Sequence, residues 1–258
     1  MITINYIYKL FYSIVRKKMG ELISTGIPGL DEIFKGGIRK YSSILITGAP
    51  GTGKSIAALQ FIYEGAKNGE PSLYITAEET TASLREYAKS IGIDIDTYEK
   101  KGLLILMEER LTGGKIVSIQ APMDVIKKKK IKRVALDSLT LFEYVYSSNV
   151  LEFRRGVLEF IKSMKEANVT LLATSETKTT DIDNFIYSPR DFLFEGLIIL
   201  IKVRKGNSFE RCLCVAKMRG QSHSLDIYPL KITEKGMKVL PKQIPFSLIE
   251  KDIIKKGF

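Results

Sequence analysis

Residues 48 to 55 read Gly48-Ala49-Pro50-Gly51-Thr52-Gly53-Lys54-Ser55, a match to G-x-x-x-x-G-K-[ST]. These residue types in this order suit the capture of a phosphate chain. Glycines let the backbone curl until successive N–H groups and a helix N-terminus face anionic oxygens. The lysine that closes the loop reaches the β and γ phosphates, and the hydroxyl after it ligates Mg²⁺. Lys54 and Ser55 take those roles here, and Ile56, next in the same turn, is counted with Gly48 to Ser55 in the nucleotide-binding set. The bland alternative is a glycine-rich turn without a ligand.

A magnesium triphosphate site also needs a carboxylate beside the metal and a base for water. The run Arg133-Val134-Ala135-Leu136-Asp137-Ser138 is an apolar strand that delivers an acid at its C-terminal end. Asp137 is therefore expected to share the metal with Ser55, and Ser138 to assist by hydrogen bonding. Glu78 and Glu79 follow the strand Leu73-Tyr74-Ile75-Thr76 at the same sheet edge, where one of them is placed to act as general base. Plain structural readings compete with both assignments. An Asp after a strand can cap a helix, and paired acids at a helix start are favourable against its dipole. Neighbouring residues point different ways, so the sequence does not say which glutamate faces the γ phosphate.

Such side chains work only if a sheet lines up the strand ends. Apolar runs at Ser43–Thr47, Ser72–Thr76, Leu103–Met107, Arg133–Leu136 and Thr170–Thr174 alternate with helical segments at Lys54–Lys67, Thr80–Ile91 and Leu151–Ala167. That alternation predicts an α/β fold with a mostly parallel central sheet flanked by helices. Beyond residue 194 the runs Leu197–Arg204, Glu210–Met218 and Leu225–Thr233 follow one another through short turns, which predicts antiparallel strands that extend the sheet. At 258 residues, with 45% hydrophobic and 27% charged residues, the chain fits one main domain.

The net charge of +11 creates a field that draws anions such as nucleotides, nucleic acid or an acidic membrane surface. Much of the excess lies in Lys127-Lys128-Lys129-Lys130 with Lys132 and Arg133, read first as a solvated helix end and second as a nucleic-acid contact. Cys212 and Cys214, the two cysteines, stand two apart in a strand, so they share a face, do not surround a metal, and suit a reducing cytoplasm. Met1 to Val15 is apolar but is interrupted by Lys9 and falls short of the roughly 20 residues that a membrane span needs. It reads as a packing extension or as a stretch upstream of a start at Met19, ahead of a third reading as a weak interfacial helix ending in Arg16-Lys17-Lys18.

With these residues in view, the chain resembles the KaiC branch of the RecA-like P-loop ATPases, in its single-domain archaeal form. Thr25-Gly26-Ile27-Pro28-Gly29-Leu30-Asp31 with Gly36-Gly37 is similar to that family's lead-in to the first core strand. Glu78-Glu79 match its paired catalytic glutamates, Leu136-Asp137-Ser138-Leu139 its Walker B strand, and Ala173-Thr174-Ser175-Glu176 the strand that senses the nucleotide state. Lys217-Met218-Arg219-Gly220 with His223-Ser224 resembles the segment that contacts ATP held by the adjacent subunit.

The resemblance implies ATP and Mg²⁺ as cofactors, hydrolysis in a ring homo-oligomer, a hexamer by preference, and Lys217, Arg219 and His223 as nucleotide contacts across the interface. It sets residues 21–240 as the ATPase domain, between a 1–20 extension and a 241–258 tail. Clock-type KaiC has two such domains and a Ser/Thr cluster where this chain has Pro189-Arg190-Asp191-Phe192-Leu193-Phe194-Glu195, so a circadian autokinase is not implied. Two other readings stay open: a nucleotide-gated scaffold with little turnover, and a recombinase paralogue that binds single-stranded DNA through the polar stretch Thr177 to Arg190.

Overall fold

A short antiparallel pair, β1 (Leu22–Ile23) and β2 (Ile38–Arg39), brackets helix α1 (Leu30–Ile33). Next come β3 (Ser43–Gly48), β4 (Ser72–Thr76), β5 (Leu104–Glu108), β6 (Arg133–Asp137) and β7 (Thr170–Glu176). Their connections hold α2 (Lys54–Lys67), α3 (Thr81–Ser90), α4 (Ile95–Lys100), α5 (Gln120–Lys129) and α6 (Val150–Glu166). A 3₁₀ turn (Pro189–Phe192) leads to β8 (Gly196–Lys205), β9 (Ser208–Met218), β10 (Tyr228–Thr233) and β11 (Gly236–Val239). The structure, a computed structural model, describes residues 20–109, 120–139, 143, 149–179, 185–205 and 207–246. The expectations for Met1 to Val15 and for the chain after 246 lie outside the described residues, as does part of the stretch Thr177 to Arg190.

One sheet of nine strands runs β11-β10-β9-β8-β3-β7-β6-β4-β5. From β8 to β5 all neighbours are parallel, and β9, β10 and β11 add on antiparallel. The antiparallel part thus begins one strand later than expected: β8 returns beside β3 in parallel because residues 185–195 carry the chain back along the sheet before it starts. The last strands also differ. β10 starts at Tyr228 rather than Leu225, since the Ser224 hydroxyl accepts from Asp226 N at 3.2 Å and donates to its carboxylate at 2.7 Å, closing a turn that leaves Leu225 exposed. β11 has no counterpart in the expected elements.

β3 and β4 are buried at every position, as strands covered on both faces must be. One face carries α2, α3 and α4 with Phe34, Ile46, Phe61 and Tyr74 in its core, and the other carries α5 and α6 over Leu45, Val134, Phe160 and Phe194. α2 buries Ile56, Ala57, Ala58, Leu59, Phe61 and Ile62, so it is apolar almost all round, whereas α6 buries a single stripe, Phe153, Val157, Phe160 and Met164. Asn149 caps α6 by accepting from the N–H groups of Leu151 and Glu152, both at 3.1 Å.

Arg133 is a correction. It does not join the exposed lysines beside it but is 2% exposed, because Glu70 accepts from its Nε at 2.6 Å and the Ser24 carbonyl from its Nη1 at 2.7 Å. Lys127, Lys128 and Lys129 do occupy the last turn of a helix.

Cys212 and Cys214 are both buried in the second core, and burial pushes their thiols up to about 12 and about 11. Thiolate is the reactive form. Ellman's reagent at pH 8 is therefore expected to leave both cysteines unmodified in the native protein and to titrate both in denaturant; rapid native labelling would contradict this packing.

Candidate nucleotide-binding site

The Gly48–Ser55 loop leaves the C-terminal end of β3 and opens directly into α2. β3 stands at the switch point of the sheet, since the chain goes from it to β4 on one side while β8 lies on the other, and ligands of α/β sheets gather at such crevices. Gly48 has no room for a side chain: a Cβ would stand 2.6 Å from the Leu200 carbonyl oxygen. Gly53 adopts φ +107, and its Cβ would meet Met237 and Ile232 at 2.5 and 2.8 Å, so β10 and β11 buttress the loop from below.

The N-terminus of α2 is left open. α3, α4 and α6 are capped by the side chains of Thr80, Asp94 and Asn149, but Gly53 offers α2 no cap and the first turn holds no acid. The amides of Lys54, Ser55 and Ile56 are thus free to meet an anion, and the helix dipole favours one there. Ile56 points its side chain into the core and is 4% exposed, so only its backbone can serve the site. Lys54 Nζ donates to the carbonyls of Gly48 and Ala49 at 2.9 and 3.3 Å, and burial lowers its pKa against the raising fields of Glu176, Asp137 and Glu78. A triphosphate would compensate that desolvated ammonium.

Asp137 ends β6 beside Thr76 of β4. Its two carboxylate oxygens are held from opposite sides: Tyr74 donates to Oδ2 at 2.5 Å and Thr174 to Oδ1. Burial, then the Asp137 charge, raises the Tyr74 pKa well above its ordinary value, so the phenol stays a donor. Each oxygen keeps a further lone pair. A serine hydroxyl and one carboxylate are hard oxygen donors suited to Mg²⁺, which takes few protein ligands and completes its shell with water and phosphate. Among the described residues no three His, Cys, Asp or Glu side chains cluster as metal ligands.

Both glutamates lie past the tip of β4. Ser138 donates to Glu78 Oε1 at 2.5 Å, which ties that carboxylate to the Asp137 side of the site. Glu79 is fixed through its backbone, with Thr76 Oγ1 accepting from its N–H at 3.1 Å and donating to its carbonyl at 2.9 Å. Burial, then the charges of Asp137 and Glu78, raise the Glu79 pKa.

Lys217, Arg219 and His223 do not join this group. Gly48 is level with Leu200, but Lys217 is level with Leu197, three residues back along β8, or roughly 10 Å at 3.3 Å per residue. Arg219 falls beyond the end of β9, in the turn, yet it still shares a neighbour with Lys217. Its guanidinium donates to the Phe192 carbonyl at 3.2 Å while the Lys217 ammonium sits 5.8 Å from the Phe192 ring centre. His223 follows at the same end of β9, its Nδ1 2.9 Å from the Ser224 carbonyl oxygen.

Sequence reasoning missed Lys202 and Arg211, which donate to the loop carbonyls of Pro50 and Gly51 at 2.8 and 3.2 Å. A signal existed for Lys202, a cation ending the alternation Ile198, Leu200. It missed Tyr74 as well, the aromatic at the centre of the buried strand Ser72–Thr76.

A parallel sheet with an uncapped phosphate loop at its switch point, a strand-end acid and paired glutamates defines a RecA-like P-loop nucleotide-binding core. Comparisons narrow this class. The KaiC ATPase family profile matches residues 23–244. A UPF0273 protein of Thermotoga maritima is 31% identical over 242 residues, 87% of this chain and 98% of that protein. The circadian clock oscillator protein KaiC of Parathermosynechococcus lividus is 31% identical over 228 residues, 84% of this chain but 42% of that longer protein. The crystal structure of a KaiC-like protein from Pyrococcus horikoshii superposes with a TM-score of 0.72 at 31% identity, over 86% of this chain and all of that one. The chain belongs to the KaiC ATPase family, as a single KaiC domain that binds ATP. Among the described residues no helix is long and apolar enough to cross a membrane.

Proposed function

We propose that the protein hydrolyses ATP with Mg²⁺ at sites shared between neighbouring subunits of a ring, a hexamer by preference, in the cytoplasm. The observation that carries this reading is the separation within one chain: Lys217, Arg219 and His223 stand at the far end of β9 from the P-loop, which favours contact with the nucleotide of another copy over this chain's own. In this scheme the α2 amides and Lys54 grip the phosphates, Ser55 and Asp137 hold Mg²⁺, and Glu78 takes the proton of the attacking water while Glu79 supports it. The bound Mg²⁺ would offset charge on the β and γ phosphates. Burial and then the Arg219 charge lower the Lys217 pKa, so an incoming phosphate relieves two crowded cations at once.

Complementation tests the sharing. Lys54→Ala and Arg219→Ala subunits, each inactive alone, are expected to regain a sizeable fraction of ATPase activity when mixed, since some interfaces then combine an intact P-loop with an intact arginine. Verified mixed rings with no recovered activity would refute shared sites. Light scattering with and without MgATP reads the ring itself.

A further inference from the structure

The end of the sheet away from the P-loop carries a concavity that takes no part in nucleotide binding. It lies between α5 and α6, where β6 and β7 begin, and encloses about 500 Å³. Ile126, Ile131 and Ala167 form its apolar floor, and Lys127, Lys130 and Lys132 its rim. The one acid on its wall, Glu166, is engaged by Lys162 at 3.7 Å, and the rim lysines have no side-chain ion pair among the described residues.

Helix-end lysines ordinarily complement the dipole, and Lys127, Lys128 and Lys129 of the last α5 turn already do so. Lys130 goes beyond that. It occupies the left-handed position after the helix, φ +53, where its N–H donates to the Lys127 carbonyl at 3.3 Å and that of Ile131 to the Ile126 carbonyl at 3.0 Å. Glycine is the favoured residue there, so a lysine keeps its cation on the rim against the local backbone preference.

We propose that this groove docks an acidic peptide segment of a partner protein, anchored by one or two apolar side chains on the floor. Cations around an aliphatic concavity complement carboxylates that flank an apolar anchor. Single-stranded nucleic acid draws on aromatic platforms, of which this lining has none. A membrane surface is met by protruding apolar side chains, not by a recess.

Phage-displayed random peptides of about twelve residues, long enough to span a groove of this kind, are selected against the full chain. Enrichment of Asp and Glu around Leu, Ile or Phe is expected. A synthesised winner is then expected to lose at least about tenfold in affinity when its acids become amides, or when Lys127→Glu, Lys130→Glu and Lys132→Glu are combined. Ser163→Lys on the groove wall separates docking from mere adhesion: it adds a cation but narrows the recess, so it should weaken the peptide. Nucleotide affinity and circular dichroism should stay as in wild type for all variants, which excludes unfolding. Selection without acidic enrichment, or tighter binding to Ser163→Lys, overturns the proposal. Binding of a thymidine oligonucleotide or phosphatidylserine vesicles, lost in the triple variant while no peptide binds, reassigns the patch.

Discussion

Glu78→Gln is expected to slow ATP turnover by about 10²–10⁴-fold, the range lost with a positioned general base, while ATP affinity stays near that of wild type. Glu79→Gln should cost far less. Geometry separates the two acids: Glu78 takes the Ser138 hydrogen bond and contributes to the field at Lys54, whereas Glu79 is secured by its backbone to Thr76. The raised pKa of Glu79 argues the other way, since a carboxylate closer to neutrality is the stronger base. Position comes first, because a base must reach the water before its strength matters. Phosphate release at saturating MgATP, alongside binding of a fluorescent ATP analogue, reads both variants. A larger loss in Glu79→Gln would exchange the two roles, near-normal turnover in both would rule out either acid as the base, and negligible turnover already in the wild type would favour a nucleotide-gated scaffold.

The largest effect on stability is expected at Arg133. Arg133→Ala should lower the unfolding free energy by about 3–5 kcal/mol, the scale of losing a large buried side chain together with its hydrogen bonds, the Glu70 left behind being 23% exposed. Glu70, the Ser24 carbonyl and the Phe61 carbonyl all accept from this guanidinium, which also stacks 5.1 Å from the Phe61 ring centre. α2 accommodates it with Gly65, where a Cβ would stand 2.6 Å from Arg133 Cδ. Arg133→Met restores volume without the charge and should recover part of the loss. Urea unfolding of the three proteins measures the order; a change in Arg133→Ala below about 1 kcal/mol, the scale of an exposed ion pair, would contradict it.

Legibility followed distance along the chain. α6 was visible because its apolar stripe recurs at helical spacing within one segment, and the central strands because their runs are apolar throughout. Turn chemistry was harder. Ser224 and Asp226 close a hydrogen-bonded turn that displaced the start of β10, and Leu225, apolar but exposed, had suggested strand there. β8 looked like its successors because parallel and antiparallel strands share the same alternation. Partner and direction come from the path of residues 185–195.

What the sequence determined by itself was the contiguous chemistry: a loop of glycines ending in Lys54-Ser55, the acid Asp137 at a strand end, and the pair Glu78-Glu79 after another. Short-range order suffices for these, since a phosphate loop is one turn of chain and a strand end is fixed by its own apolar run. Tertiary structure decided which groups converge on them. Tyr74 and Thr174 reach Asp137 from 63 and 37 residues away, Lys202 and Arg211 reach the loop from far beyond it, and Arg133 leaves the basic surface for the core. Strand order and register bring these together, and both are set by packing between segments remote in sequence, which no local pattern encodes.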